Sequence, residues 1–348
     1  MTVHDQSPNT APGCIHRLRA LILAAVNLYA FGLILYLLLR LLLGDDLWWM
    51  GLINNFVPLY FLPLIVLLPL ALMLRAPWVF VRLLPLVLIG VLWFGPLFLP
   101  RSVAAVAGDD LKVVTFNMLM GNDRIDDIRA WMTAQDPDLV LMQEVIPHDC
   151  CPLPEMPDDY TMILPDDFGP HGFGPAIFSR LPVADVEIFS LESTRKQIRV
   201  EVDLNGQRIA VYNMHLQLPT LRPQRNNGSI TFYDESTRRR QVAALITRLE
   251  NESLPYVVAG DFNLSDMSEA YAELAAVMDD SFRQTATGFG MTWPAYRDGS
   301  EQLALMTPVM RLDYVWYSAA FRAVDGYRGP FLGSDHLPVV ARLVLMDL

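Results

Sequence analysis

The chain has 348 residues, 53% of them hydrophobic, and a formal charge of −12. Six Arg against three Asp up to Gly108 make that part +3 and leave −15 for the rest. So acidic a remainder repels a phosphate backbone unless cations intervene, which argues against a nucleic-acid binder, and three cysteines provide no disulfide framework.

Residues 1–17 form a polar tail, followed by an apolar region over 18–101. Ala20 to Leu39, Leu47 to Leu74 and Leu83 to Pro100 are free of charged residues. Each run approaches the roughly 20 residues a helix needs to cross a bilayer, so three spanning helices are expected. Pro58, Pro63 and Pro69 are expected to kink the second, and Asn54 and Asn55 interrupt its apolar surface. Trp48 and Trp49 suit an aromatic belt at a membrane interface. Arg17, Arg19, Arg75 and Arg82 lie on one side of these spans, and Arg40 and Arg101 on the other. That bias places the N-terminus in the cytoplasm and the C-terminal part outside the plasma (inner) membrane. The alternative, cleavage after a site resembling Ala105-Val106-Ala107, is disfavoured because a signal peptide has one short apolar core. Cys14 precedes the first span, and Cys150 and Cys151 are adjacent in a Pro-rich stretch where a bridge between neighbours would be strained.

Residues 102–110 read as a linker and 111–348 as one water-soluble α/β domain. Strands are expected at Lys112 to Asn117, Leu139 to Met142, Gln197 to Leu204, Gln207 to Asn213, Tyr256 to Ala259, Leu312 to Tyr317 and Val339 to Leu345. Helices are expected at Asp126 to Ala134 and Asp234 to Leu249, the latter with an inward strip at Val242, Leu245, Ile246 and Leu249. Asn205-Gly206 is a type I′ hairpin signal. Hairpins mixed with crossover helices indicate a mixed-sheet domain, two packed sheets with helices outside. Arg238, Arg239 and Arg240 fit a solvated helix face better than a phosphate reader, with room for one of them to pair inward.

Polar clusters end five of these strands or precede them: Asn117, then Gln143-Glu144, then Asn213 with His215, then Asp261 with Asn263, then Asp335-His336. Singly, each is a turn or cap residue more often than a functional one. Five at successive strand ends, where open α/β sheets place their sites, are hard to attribute to turn chemistry.

The order of motifs resembles the endonuclease/exonuclease/phosphatase superfamily, whose members include pancreatic deoxyribonuclease, abasic-site endonucleases, inositol polyphosphate 5-phosphatases and neutral sphingomyelinases. The matching pieces are Thr115-Phe116-Asn117, Asp138 to Glu144, Ala176 to Arg180, Asn213 to Leu216, Gly260 to Asn263, Thr292-Trp293-Pro294, Arg311 to Tyr314 and Ser334-Asp335-His336. The resemblance implies a four-layer α/β sandwich behind the three spans. It implies that Glu144, helped by Asn117 and with Asp335 in support, holds Mg²⁺ (or Mn²⁺). By the same carry-over Asp261 activates the attacking water, and Asn263 donates to the phosphoryl oxygens. His336 binds the phosphate with Asp313 fixing its ring, His215 serves the leaving group, and Asn213 is a weaker substrate contact. The implied reaction is metal-assisted, in-line hydrolysis of a phosphoester or anhydride.

The shared motifs do not choose a substrate. Three spans, a short linker and an acidic domain favour a phosphorylated or pyrophosphorylated membrane lipid, and membrane-anchored bacterial relatives of this layout point the same way. A nuclease acting outside the cytoplasm and a non-catalytic phosphate sensor are the alternatives. Pro219 to Asp234, rich in Arg, Asn and aromatics, is expected to cover the site as a lid.

Overall fold

A computed structural model describes residues 13–101, 106–146, 153–226, 229–295 and 308–346. Cys150 and Cys151 lie outside the described residues. The chain divides into two compact units, one of Met1–Gly44 and Val57–Pro96, the other of Asp45–Phe56 and Leu97–Leu348.

The first unit is helical. Helix α1 spans Cys14–Leu43; after α2 (Trp48–Asn54, in the other unit) come α3 (Val57–Phe61), α4 (Pro63–Met73) and α5 (Pro77–Phe94). Among the described residues, α1 and α5, extended by a 3₁₀ turn to Phe98, are each long and apolar enough to cross a membrane; α2 with the following helices counts as a third span only if a 70° bend is allowed. The single second span expected over 47–74 is therefore broken. Its interruption falls where Asn54 and Asn55 turn their amides to Asp45 Oδ1 (2.6 Å) and Gly51 O (2.8 Å), just ahead of Pro58. The third helix begins at Pro77, earlier than expected, so Arg82, which the sequence allowed either between the spans or inside the third, falls inside it and donates to Asn27 of α1 at 3.1 Å.

The second unit carries β1 (Gly108–Asn117), α6 (Ile125–Gln135), β2 (Leu139–Val145), β3 (Thr161–Ile163), β4 (Gly174–Ser179), β5 (Val183–Ser190), β6 (Lys196–Leu204) and β7 (Gln207–His215). Then follow β8 (Gln224–Asn226), β9 (Ser229–Thr231), α7 (Ser236–Glu250), β10 (Tyr256–Asp261), α8 (Glu269–Ala275), β11 (Asp279–Asp280), α9 (Ser281–Thr285), β12 (Asp313–Tyr317), β13 (Phe321–Arg328) and β14 (Val339–Met346). Strand β1 takes in Gly108–Asp110, which the sequence assigned to a linker. Two six-stranded sheets run β13-β14-β1-β2-β4-β3 and β11-β12-β10-β7-β6-β5, with β8 and β9 a separate hairpin. Each sheet contains one parallel pair, β1 with β2 and β7 with β10, among antiparallel neighbours.

The core lies between the sheets. Leu111, Val113, Leu139 and Leu141 of the first meet Ile198, Val200, Val211 and Val257 of the second, all fully buried. The opposite face of the first sheet is closed by Ile128 and Met132 of α6, and that of the second by Val242, Leu245 and Leu249 of α7 with Leu274 of α8. The strip on α7 is the one its 3.6-residue period requires. Between β6 and β7, Asn205 and Gly206 take φ of 55° and 92°, the left-handed pair of a type I′ turn.

Candidate active site

Parallel pairing decides where the polar clusters go. Strands β1 and β2 run together, as do β7 and β10, so each pair ends on the same edge of its sheet. Asn117 ends β1 and pairs with Gln143, and Glu144 follows across a bulge at φ 58°. Asp261 ends β10 opposite His215 at the end of β7. Strand β12 is antiparallel to β10, so it contributes its first residue, and Asp313 is the register partner of Asp261. The loop before β14 delivers Asp335 and His336, tied down by the Ser334 hydroxyl, which donates to Asn117 O at 2.7 Å and accepts from His336 N at 3.0 Å. One local feature makes the β7–β10 approach feasible. Gly260, at φ +146°, lies so close to Met214 that an added Cβ would come within 1.8 Å of its carbonyl oxygen.

The side chains converge. Asp261 is 1% exposed. Its Oδ1 accepts from Asn263 N at 2.9 Å, and its Oδ2 accepts from Asn117 Nδ2 at 3.0 Å and Asn263 Nδ2 at 3.3 Å. His336 Nε2 stands 3.7 Å from that Oδ2, and His336 Nδ1 bonds Asp313 Oδ2 at 2.9 Å. His215 Nε2 stands 3.6 Å from Asp261 and 3.9 Å from Glu144. Asn117 Nδ2 also reaches Glu144 Oε1 at 3.2 Å. Burial pushes the Asp261 carboxyl up to about 7, against the pull of the His336 charge and with Asp313 adding to the rise. Burial works against a charged His336, but Asp313 and Asp261 outweigh it and hold the imidazole at about 10.

Residues 114–336 match the model of the endonuclease/exonuclease/phosphatase family. The chain belongs to this family. Among solved structures, the family member from Bacteroides vulgatus superposes with a TM-score of 0.52 at 20% identity, over 68% of this chain and 99% of that one. Truncated Caenorhabditis elegans TDP2 gives 0.54 at 17% identity, over 68% and 97%. D. rerio TDP2 in complex with a single-stranded DNA product gives 0.52 at 19% identity, over 67% and 98%. No protein of curated function matches the chain.

Members of the family are generally metal-dependent phosphoesterases or nucleases. Among the described residues, Asp261, Asp313 and His336 form one buried group whose ligand atoms lie within 4.8 Å of one another. Asp313 Oδ1 is buried there without a hydrogen-bond partner. Beside them the carboxylates of Glu144 and Asp261 converge on the same Asn117 Nδ2. Carboxylate oxygens gathered in this way are the donors a hard divalent cation takes, so the residues fit one.

One expectation changes. Asn213 does not face the cavity. Its Nδ2 donates to Met142 O (2.9 Å) and Ala176 O (2.8 Å), and its Oδ1 accepts from Gln143 Nε2 (2.7 Å), so it ties the two sheets together. Asn263 lines the cavity and directs its amide to Leu216 O (3.0 Å) and Asp261, so it also holds the carboxylate. Arg238 is the inward member of its run: buried, it bonds Asn263 O and Glu235, while Arg240 stays exposed on Thr237. Asp335 lines the cavity and accepts from Trp293 Nε1 at 3.1 Å.

Other residues carried no sequence signal. Arg195 lines the cavity, donates to His215 Nε2 and sets its guanidinium 5.6 Å from the Phe173 ring centre. Leu52, Asn55 and Phe56 also line it, from a stretch the sequence assigned to a membrane span. The cavity measures about 300 Å³. Its floor is Glu144, His215, Asp261 and His336; its walls include Leu218, Leu221, Met310 and Leu312. The segment expected as a lid closes at its base through Thr220 and Asp234, which exchange backbone hydrogen bonds of 2.9 and 3.0 Å, and carries the β8–β9 hairpin. Trp48 sets its ring 5.5 Å from Phe232 of that segment.

Proposed function

We propose that the chain is a membrane-anchored, Mg²⁺-dependent phosphoesterase whose substrate is a phosphorylated or pyrophosphorylated lipid. The observation that carries this reading is a single cavity with a carboxylate and imidazole floor and largely apolar walls. Glu144 and Asn117 would hold the cation, with Asp335 beside them, and the ion would neutralise charge developing on the phosphoryl group. Asp261 takes the proton of the attacking water. A carboxyl lifted to about 7 by burial is matched to that task near neutral pH. His336, protonated at the same pH and braced by Asp313, offers its Nε2 proton to a phosphoryl oxygen. His215 and Arg195 lie on the cavity's other side, where a leaving oxygen needs a positive neighbour. The 219–234 hairpin covers the cavity.

Helices α1 and α5, with the broken span between them as a third crossing, anchor the chain and carry the C-terminal unit from a cytoplasmic N-terminus to the outside of the inner membrane; the Arg bias supports that orientation. A second reading, a nucleic-acid phosphodiesterase, has the shared fold of D. rerio TDP2, solved with a DNA product, in its favour. The −15 charge after Gly108 speaks against it. Product formation by detergent-solubilised protein from polyprenyl pyrophosphate, phosphoinositides, sphingomyelin and DNA, read as free phosphate, phosphomonoester or shortened DNA, separates them. Turnover of a lipid with Mg²⁺, abolished by chelator, supports the first reading; turnover of DNA alone overturns it.

A further inference from the structure

The short helix α2 lies in sequence between apolar helices, yet Asp45–Phe56 groups with the catalytic unit. At seven residues it is too short to be stable alone, and the contacts that hold it are specific. Asp45 Oδ2 accepts from Glu269 N at 2.7 Å, and Asp45 O accepts from Arg239 Nη2 at 2.8 Å. Asn55 Nδ2 donates to Tyr233 OH at 3.2 Å. Tyr233 in turn accepts from Arg238 at 3.3 Å, whose other bonds reach Asn263 O and Glu235. Gly51 permits the approach: a Cβ there would stand 3.2 Å from Glu235 Oε1.

Leu52 of α2 and Phe56, two residues past its end, thereby line the catalytic cavity together with Leu218 and, from the covering segment, Leu221. Leu218 and Leu221 are 56% and 68% exposed, an arrangement that leaves apolar surface at the cavity without a partner among the described residues. The floor is polar and catalytic, so the occupant of this apolar part is continuous with a group bound on the floor.

We propose that α2 and the turn after it form a substrate-recognition element: Leu52 and Phe56, with Leu218 and Leu221, receive the first carbons of a hydrocarbon chain whose phosphoryl group sits at Asp261 and His336. This rests on the lipid phosphoesterase reading and adds where the chain specificity resides. The cavity, at about 300 Å³, is at the small end of ligand sites. It therefore takes a chain that begins within a few bonds of the phosphorus, and the rest of the chain lies outside.

The test uses the full-length protein in nanodiscs with Mg²⁺ and a series of water-soluble n-alkylphosphonates, with dissociation constants from calorimetry. Each added methylene tightens binding about fourfold over the first few carbons, the equivalent of about 0.8 kcal/mol per buried CH₂, and the gain then levels off. Phe56→Ser, and Gly51→Leu, which lifts α2 from Glu235 without touching the lining, reduce the gain to less than about twofold per carbon. Should either fail to fold, Leu221→Ser on the exposed side of the wall gives the same flattening. A wild-type gain that survives unchanged in the variants overturns the role of α2 and leaves the lipid reading standing. Binding of methylphosphonate with no gain along the series overturns both, and no binding at any length overturns the phosphoester site itself.

Discussion

Replacing Asn213 with Ala separates a residue that holds the site together from one that works in it. The side chain is fully buried and makes three hydrogen bonds of 2.7 to 2.9 Å from β7 to the facing sheet. Truncation leaves Met142 O and Ala176 O without that partner, at about 1–3 kcal/mol for each buried group left unsatisfied, while Gln143 Nε2 keeps Thr115 Oγ1 and Leu141 O. Water entering the vacated space offsets part of this, so the net loss is roughly 3–5 kcal/mol. For a domain of this size that lowers the melting temperature by about 6–20 °C. Melting of the detergent-solubilised full chain, followed by tryptophan fluorescence, reads it, with phosphate release measured well below the transition. The expected result is a large drop in melting temperature with activity per folded molecule within a few-fold of wild type. A variant that melts like wild type but has lost its turnover would return Asn213 to the substrate side and refute the reasoning.

Gly260→Ala forces a Cβ against Met214 O and prises β10 from β7 beside Asp261, so folded protein should not accumulate. Gly121→Ala, with φ 78° but open space around it, costs only about 1–2 kcal/mol of backbone strain; equal yields of the two would contradict the close-approach argument. Asp280, buried on Arg311 at 3.1 Å and capping α9, is held below its ordinary carboxyl range; burial alone would raise it, and the Arg311 charge overrides that. Because its folded pKa is depressed, the stability it contributes is complete above about pH 4 and is lost as pH falls through the folded value. Acid unfolding curves of wild type and Asp280→Asn should converge below that range, and a gap that persists there would count against the pairing. The rate should need Asp261 deprotonated and His336 protonated, so activity rises through an acid limb at or below about pH 7 and declines towards about pH 10. A bound cation moves the first limb lower, since it favours the carboxylate. Activity that keeps climbing past pH 10 would rule out a protonated His336.

The catalytic strands were legible because each couples a β-branched or aliphatic run to a polar cluster at its end, and parallel pairing then brings the ends together without further instruction. The Asn205-Gly206 turn and the inward strip of α7 were legible for the same local reason. Asn213 was not, because an amide at a strand end looks the same in sequence whether it faces a cavity or crosses to the other sheet. A charge-free run measures apolar length and does not register that Asn54 and Asn55 break the helix, which hid the place of α2 in the cavity wall. Arg195 acts through His215, twenty positions away in sequence but adjacent in space, a relation no local pattern announces.

On the reading proposed above, Asp261 activates water at a cation-dependent phosphoester site. Phosphate release by the full-length protein from a lipid phosphate, with Mg²⁺, with chelator, and with Asp261→Asn, tests it most directly. The account predicts release that needs Mg²⁺ and falls by about 10²–10⁴-fold in the variant, the usual worth of a general base, while its melting temperature holds. A folded Asp261→Asn protein that turns over at close to the wild-type rate would contradict it.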